Sequence, residues 1–330
     1  MVTLGAQRVS LLSPPTLAVG GRLRGLGAAQ PDSVLSGEVL GSRVGRSAEW
    51  IETRTGIREL RALAAGESLL DLATQAAADA VRDAGPSTAR IDLVIAATCS
   101  NRDGQVPLAP ELGRVFAPDA ATLDLNAACS GFCYSVAAAD ALIRSGSARR
   151  VLVVAAEHMT GLVDPSDLGT SIIFGDGAGA AVLDAAGDGD VHIGPVAWGS
   201  DGSQAELIAI PEHCQSLTMA GQQVFRWAVD EVRHVATQAC ANAGVTPAEI
   251  DVFVPHQANA RIVDALTTQL GLEHATIARD ITISGNTSAA SIPIALTKLL
   301  RDGSAKPGQL ALLVGFGAGL TYAAQVVRLP

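Results

Sequence analysis

Two segments of the chain recur in the same order at nearly the same separation, and this duplication limits the possible folds more than any other feature. DAGPSTARIDLV at 83–94 aligns with NAGVTPAEIDVF at 242–253 with five identities. ALIRSGSA at 141–148 aligns with KLLRDGSA at 298–305, again with five identities. The offsets are 159 and 157 residues in a chain of 330, so we interpret the chain as a duplicated half-domain.

Short β-branched apolar runs alternate along the chain with Ala-rich segments of helical spacing. The runs are typical of strands buried on both faces, and they lie at 91–97, 151–156, 250–254 and 310–314. In the other segments apolar residues recur every three or four positions, at 69–84, 224–243 and 259–270. The alternation predicts an α/β fold. We expect two halves, 1–190 and 191–330, related by a pseudo-twofold axis.

Composition and charge narrow the class of partner. The net charge is −10 with no Lys/Arg-rich block, which argues against nucleic acid or an anionic membrane surface. No apolar run approaches the roughly 18 residues that span a bilayer, and residues 1–15 lack the layout of a signal peptide. The five cysteines form no C-x-x-C pair, so neither disulfides nor a metal site is indicated. We expect a cytoplasmic protein that acts on small molecules or on a protein partner.

One of these cysteines, Cys129, stands at the start of a long apolar segment, within LNAACSGFCYS. A helix N-terminus exposes unpaired N–H groups and a partial positive charge, which can lower a thiol pKa from about 8.5 toward roughly 3.5–7.5. A buried cysteine is more often a small packing residue, and we assign that role to Cys99 and Cys133. For Cys129 the setting predicts a nucleophile.

Two polar turns complete the candidate site. In VPHQANARI, His256 follows an apolar strand at the end where α/β proteins place ligands. In ISGNTSAAS, Gly285 permits a tight turn and Asn286 begins a helix. The 157-residue offset places Asn286 opposite Cys129, so a pseudo-twofold axis would bring the two together. The Gly-rich turn GFGAGL at 315–320 would let a backbone N–H approach a ligand closely.

Cys129, PHQAN and GNTSAAS in this order resemble the β-ketoacyl-acyl carrier protein synthase III family of the thiolase superfamily. EWIETRTGIR, FGDGAGAAVL and GFGAGLTYA extend the resemblance from about residue 20 to the C-terminus, and the last stretch looks like the actinobacterial members. The resemblance implies a five-layered αβαβα thiolase fold, a homodimer, and catalysis without a cofactor. Acyl-CoA and malonyl-acyl carrier protein would be the substrates, and the reaction would initiate fatty-acid or polyketide starter synthesis.

The resemblance also assigns catalytic roles. Cys129 would take an acyl group from acyl-CoA as a thioester. His256 and Asn286 would hydrogen-bond the thioester carbonyl of malonyl-acyl carrier protein while carbon dioxide leaves. The backbone N–H groups of Cys129 and Ala318 would stabilise the oxyanion formed when the enolate attacks the acyl group.

Further residues take binding roles by the same resemblance. Trp50 would stack on the adenine of CoA, Arg54 would bind a phosphate, and Gly221 and Asn259 would face the pantetheine. Leu168 departs from the pattern, because many members carry an arginine there that covers the other face of the adenine.

Carrier-protein and primer contacts follow in the same way. Arg226 and Arg261 would contact the acidic carrier protein. Val106 falls where some members project a phenylalanine across the dimer interface into the primer pocket, so the smaller side chain predicts tolerance of branched or longer primers. The segment 211–217 is shorter than in close relatives, which could alter the cover of the pocket.

Three other functions are compatible with parts of the pattern. An acyltransferase on the same scaffold would move the acyl group from Cys129 to an alcohol or amine without decarboxylation. A papain-like hydrolase also uses Cys, His and Asn in this order, but its C-G-S-C-W run is absent. A non-catalytic partner of another synthase would have no need of Cys129, His256 and Asn286 together.

Overall fold

The computed structural model describes residues 19–87, 89–101, 106–187 and 189–330. The expectation that residues 1–15 are not a signal peptide lies outside this part. The strands are β1 (Gly21–Ala29), β2 (Val34–Ser36), β3 (Glu59–Arg61), β4 (Leu93–Ala97), β5 (Ala121–Leu125), β6 (Arg150–His158), β7 (Asp176–Ala185), β8 (Ala197–Ser200), β9 (Ile208–Ala209), β10 (Thr218–Met219), β11 (Val252–Pro255), β12 (Thr276–Ile277), β13 (Leu310–Gly317) and β14 (Thr321–Arg328). The α-helices are α1 (Gly37–Val44), α2 (Ala48–Thr55), α3 (Leu69–Asp83), α4 (Leu108–Phe116), α5 (Gly131–Arg144), α6 (Gly221–Asn242), α7 (Ala260–Leu270), α8 (Ile281–Ser284) and α9 (Ser291–Arg301).

The predicted elements are confirmed. The four apolar runs are β4, β6, β11 and β13, and the three helical segments are α3, α6 and α7. Apolar periodicity identified them because strands covered on both faces need apolar side chains at every position. β6 and β13 extend past their apolar runs, to His158 and Gly317. Within the described ranges no helix is both long and apolar enough to cross a bilayer.

Two five-stranded sheets repeat one topology. The first has the order β5-β4-β6-β7-β1 and the second β12-β11-β13-β14-β8. In each sheet the first three strands are parallel to one another, and each of the last two pairs antiparallel with the strand before it. The duplication and the α/β class are therefore confirmed. We propose the division at 190/191, which falls in the interval between β7 and β8.

The repeated Ile-Asp pair does the same work in both halves. Asp92 Oδ2 accepts the N–H of Arg149 at 2.7 Å, and Asp251 Oδ2 accepts the N–H of Leu310 at 2.8 Å. Each carboxylate thus satisfies a backbone donor at the start of the neighbouring parallel strand. The sequence repeat marks this junction because both halves need the same acceptor there.

Helices and sheets stack in five layers. The central core combines side chains of α5 and α9 with inward-facing residues of both sheets. α3 packs on the outer face of the first sheet, and α6 and α7 pack on the outer face of the second. Adjacent residues of β4 show the alternation, since Ile95 belongs to the central core and Val94 to the outer one. This arrangement is the αβαβα order expected of the thiolase fold.

The pairing of Cys129 with Asn286 as counterparts is wrong by three residues. A 3₁₀ turn at 128–130 precedes α5, and one at 288–290 precedes α9, so the offset at the helix starts is 160. The counterpart of Cys129 is therefore Ala289, and that of Asn286 is Asn126. The 157-residue offset came from the helix ends, because α5 has 14 residues and α9 has 11.

The contact between α3 and β1 generates a test of the packing. A Cβ at Gly27 would lie 2.2 Å from the carbonyl oxygen of Ala76 and 2.4 Å from the nitrogen of Ala80, which are backbone atoms of α3. We expect Gly27→Ala to lower the free energy of unfolding by about 1–3 kcal/mol, as overpacking typically does. Urea denaturation measures this. Gly202→Ala is the matched control, since a Cβ there meets nothing within 4 Å; equal losses in the two variants would contradict the packing.

Candidate active site

A cavity of about 760 Å³ opens at the carboxyl ends of the central strands. Cys129, His256, Asn286 and Ala318 all line it. His256 follows β11 and Ala318 follows β13, while Cys129 and Asn286 come from the turns that lead into α5 and α9. The pseudo-twofold axis therefore brings the predicted catalytic residues to one space.

Cys129 lies in a strained turn. Its neighbour Ala128 has φ +45°, a left-handed conformation that costs a non-glycine residue roughly 1–2 kcal/mol. Asn126 Oδ1 accepts the N–H of Ala128 at 3.1 Å, which holds the turn. Gly317 lies against Cys129, and a Cβ at Gly317 would be 2.6 Å from the Cβ of Cys129. Glycine at 317 thus leaves the space beside the thiol.

Burial raises the pKa of Cys129 to about 12. The Ser288 hydroxyl and the backbone N–H groups of Cys129 and Ala318 lower the pKa, while the Glu157 carboxylate raises it. Desolvation outweighs the stabilising hydrogen bonds, so the expectation of a lowered pKa from the helix terminus is wrong. The two N–H groups expected to form the oxyanion site are nevertheless those that face the sulfur.

His256 is held as a neutral donor. Its Nδ1 is 2.7 Å from Ser291 Oγ, which also accepts the N–H of Gln257 at 3.3 Å. We assign the Ser291 proton to the bond with Nδ1, because Nδ1 is the acceptor within reach, and this tautomer carries its hydrogen on Nε2 for a ligand. Burial lowers the pKa of His256 to about 3, and the ring packs edge-on against Phe316 at 5.2 Å between centroids.

Asn286 presents its amide nitrogen. Its Oδ1 accepts the N–H of Ser288 at 2.8 Å, so the Nδ2 group remains as the donor for a ligand. The backbone N–H of Asn286 donates to the carbonyl of Ile173 at 2.8 Å. Ser288 has φ +49°, which repeats the strained conformation of Ala128. The turn fixes the side chain of Asn286 in one orientation.

The mouth of the cavity gathers the predicted binding residues. Gly221, Asn259 and three exposed arginines line it: Arg54, Arg226 and Arg261. Asn259 caps α7 through the N–H of Arg261 at 2.9 Å, and its Nδ2 donates to the carbonyl of Arg54 at 3.3 Å. The rim therefore carries positive charge on a protein whose net charge is −10.

Trp50 and Val106 lie away from the cavity wall. The Trp50 ring carries the guanidinium carbons of Arg54 and Arg46 at 4.8 and 5.3 Å from its centroid. Leu168 is partly buried in the same apolar cluster as Trp50. Val106 is 63% exposed and borders a separate depression. Sequence reasoning missed Arg46, a second cation beside the tryptophan.

The deep end of the cavity is apolar. Met159, Leu162 and Phe174 form a buried cluster there. The β9–β10 hairpin, which brackets the segment 211–217, contributes Ile208 and Met219 to the wall. The short segment therefore belongs to the hairpin that covers the cavity.

Four further residues at the site carry roles that sequence reasoning missed. Cys99, assigned above to packing, lines the cavity. Asn126 and Ser288 shape the two turns, and Glu157 is a fully buried carboxyl group next to Cys99. A signal for the turns exists in the sequence, because Asn126 and Asn286 each stand two residues before a strained residue. Glu157 also had a signal, since it directly follows the apolar run 151–156, at the strand end where α/β proteins place ligands.

Known proteins place this site in a family. The family model for the C-terminal part of 3-oxoacyl-[acyl-carrier-protein (ACP)] synthase III matches residues 240–329, and the model for 3-oxoacyl-[acyl-carrier-protein (ACP)] synthase III matches 123–202. The chain is 44% identical to β-ketoacyl-[acyl-carrier-protein] synthase III 4 of Streptomyces coelicolor, over 94% of this chain and 99% of that one. It is also 44% identical to β-ketoacyl-[acyl-carrier-protein] synthase III of Mycobacteroides abscessus, over 93% and 94% of the two chains.

Solved structures agree. The priming β-ketosynthase of the R1128 polyketide biosynthetic pathway superposes with a TM-score of 0.92 at 39% identity, covering 97% of this chain and 99% of that one. 3-Oxoacyl-(acyl carrier protein) synthase III of Pseudomonas aeruginosa gives 0.89 at 36% identity, covering 94% and 98%. Together with the Cys129, His256 and Asn286 motifs, these similarities show that the chain is an acyltransferase of the β-ketoacyl-acyl carrier protein synthase III family, similar to actinobacterial members.

Proposed function

We propose that the protein joins an acyl-CoA primer to malonyl-acyl carrier protein in a decarboxylating condensation, with Cys129, His256 and Asn286 as catalytic residues. The observation that carries the proposal is one cavity that holds a thiol, two N–H groups facing it, and two neutral side-chain donors. The thiol and the two N–H groups suit acyl transfer, and the two side-chain donors suit the stabilisation of an enolate. The product would start a fatty acid or a polyketide chain.

In the first step the sulfur of Cys129 attacks the thioester carbonyl of acyl-CoA. The N–H groups of Cys129 and Ala318 stabilise the tetrahedral oxyanion. The carbon–sulfur bond to CoA then breaks, and the thiol proton of Cys129 ends on the departing CoA. Because Cys129 starts as a neutral thiol, deprotonation accompanies the binding of the acyl donor rather than preceding it.

In the second step malonyl-acyl carrier protein enters, and its thioester oxygen accepts hydrogen bonds from His256 Nε2 and Asn286 Nδ2. Loss of carbon dioxide leaves an enolate, whose charge these donors stabilise. The enolate carbon attacks the acyl carbonyl, the bond from that carbonyl to the Cys129 sulfur breaks, and the released thiolate takes a proton from water. A neutral imidazole suits this step, since it donates without giving up its proton to the enolate oxygen. The scheme includes no metal or organic cofactor.

Positive charge at the mouth supports the choice of substrates. We assign CoA phosphate binding to Arg54, adenine stacking to Trp50, and pantetheine contacts to Gly221 and Asn259. Arg46, on the same ring as Arg54, offers a second cation near the nucleotide, on a surface where Leu168 supplies none. Arg226 and Arg261 would meet the acidic carrier protein at the same opening.

A homodimer is part of the proposal. β5 forms an edge of the first sheet, and its Leu123 is 42% exposed. An unpaired edge of this kind is a template for the same strand of a second copy. Val106 is also exposed, as a side chain that reaches into a partner's pocket would be in a single subunit.

The state of the thiol is testable through its pH dependence. Because burial raises the pKa of Cys129 to about 12, alkylation of the free enzyme should accelerate about tenfold per pH unit up to pH 9, without a plateau. Iodoacetamide labelling followed by peptide mass spectrometry measures the rate at Cys129. The exposed Cys214 reports the reagent's own behaviour in the same digest. A plateau at Cys129 below pH 8 would show a stored thiolate instead.

The two donors are testable by separating the half-reactions. His256→Ala and Asn286→Ala should each lower carbon dioxide release from malonyl-acyl carrier protein by about 10²–10³-fold, the usual cost of one such donor. Acylation of Cys129 by acyl-CoA should change less. Radiolabelled carbon dioxide and intact-protein mass follow the two steps. Wild-type acylation with no release of carbon dioxide would instead favour the acyltransferase without decarboxylation.

The primer preference depends on Val106. We expect branched or longer acyl-CoA primers to compete well against acetyl-CoA, because valine leaves more room than phenylalanine. Val106→Phe should shift the preference toward acetyl-CoA, and a competition assay with mixed primers measures both. Val191→Phe, at an exposed valine away from the active-site cavity and from strand β5, is a control for bulk added elsewhere on the surface. A clear preference of the wild type for acetyl-CoA would contradict the assignment.

A further inference from the structure

The two halves differ at one register position beside the active site. Leu93 pairs with Val151, and Val252 pairs with Ala311, so β6 and β13 correspond at an offset of 160 residues. Glu157 in β6 is therefore the counterpart of Gly317 in β13. The 3₁₀ turns before α5 and α9 share the same offset.

At the second-half position, glycine leaves space. A Cβ at Gly317 would lie 2.9 Å from the sulfur of Cys129 and 3.2 Å from its nitrogen. A side chain there would fill the space in front of the nucleophile and its N–H group. The oxyanion site beside Cys129 thus depends on the missing side chain.

At the first-half position, a carboxylate fills the equivalent space. Glu157 Oε1 accepts the N–H of Ala289 at 3.4 Å, and Ala289 is the counterpart of Cys129. The Ser288 hydroxyl also bonds Glu157 and lowers its pKa, against the larger effect of burial. The second half therefore retains the shape of an anion site, and the carboxyl group of Glu157 occupies it.

Glu157 ties this turn to the first half. Its carboxylate accepts the N–H of Cys99 at 3.1 Å, the N–H of Ser100 at 3.1 Å, and the Ser100 hydroxyl. The N–H groups of Cys99, Ser100 and Ala289 can only donate, so an amide in place of the carboxylate would offer them one acceptor oxygen where the carboxyl group offers two. Because Glu157 is fully buried, a backbone N–H group that lost its acceptor there would be costly to leave unpaired.

We propose that Glu157 is a positioning residue for Asn286, acting as an internal anion in the duplicate of the oxyanion site. It anchors Ala289 and Ser288, and the N–H of Ser288 in turn orients the Asn286 amide. Without the anchor the strained turn relaxes and Nδ2 leaves the enolate position. The inference rests on the proposed function, in which Asn286 serves decarboxylation.

The test compares the two half-reactions in Glu157→Gln. We expect carbon dioxide release from malonyl-acyl carrier protein to fall by about 10²-fold, as when a donor is misplaced, while acylation of Cys129 changes little. Glu157→Asp keeps the charge on a shorter arm and should show a smaller loss in the same step. If Glu157→Gln does not fold, Glu157→Asp provides the test. In either variant, equal losses in acylation of Cys129 and in carbon dioxide release would overturn the inference.

Two controls separate this inference from its alternatives. Asp140 is a buried carboxylate on α5 that accepts the N–H of Gly21 at 2.6 Å. It contacts none of the proposed catalytic residues. Asp140→Asn should lower thermal stability without splitting the half-reactions, and the same split there would mean a general structural effect. Asn286→Ala tests the proposed function itself. If Glu157→Gln releases carbon dioxide at the wild-type rate while Asn286→Ala does not, the role of Glu157 would be overturned and the proposed function would stand.

Discussion

The active site depends on two symmetry-related turns, each of which holds a strained residue at the start of a central helix. Ala128 and Ser288 adopt left-handed backbone conformations, and an asparagine two residues earlier accepts the N–H of each. Such strain persists only where the surroundings enforce it. Here the packing of α5 and α9 between two sheets restrains both turns, and the hydrogen bond from Ala289 to Glu157 restrains the second one further. The same packing brings a thiol and an amide from different halves into one cavity.

Duplication supplies the geometry, and divergence supplies the chemistry. One turn carries Cys129 beside Gly317, and its counterpart carries Ala289 beside Glu157. One half therefore leaves room for a substrate anion where the other half is filled by the protein's own carboxylate. Asn126 and Asn286 began as equivalent turn formers, and in the second half the amide also serves the cavity. A symmetric scaffold thus supports an asymmetric site.

Burial sets the charge states of the groups that act. It raises the pKa of Cys129 and lowers that of His256, so both are neutral near pH 7. Neutral donors suit a reaction in which negative charge appears and disappears on substrate oxygens. The arginines at the cavity lie on the rim, where Arg54, Arg226 and Arg261 stay in contact with water. In the proposed mechanism the reacting groups lie inside the cavity and the rim attracts the anionic substrates.

The sequence was informative where a periodic or repeated pattern had a physical cause. Apolar runs identified β4, β6, β11 and β13, and the repeat identified two halves, because identical junctions need identical acceptors such as Asp92 and Asp251. The family, the fold and the enzyme class are confirmed, while the roles of individual site residues stay predictions. The pairing of Cys129 with Asn286 was wrong, since α9 is shorter than α5 and shifts the offset. The expected lowering of the Cys129 pKa was also wrong, because the burial that raises it depends on the packed core and cannot be read from the local sequence.

Glu157 follows an apolar run at the carboxyl end of β6, but only the packed structure shows that its carboxyl group meets the turn before α9. Arg46 lies four residues before Trp50, and again only the structure shows the two side chains in contact. The central claim, that the halves converge on one reactive sulfur, is tested most directly by intact-protein mass spectrometry after exposure to a panel of acyl-CoA thioesters, with proteolytic mapping. The account predicts a single acyl increment located on Cys129. An increment on another residue, or none with any donor offered, would contradict it.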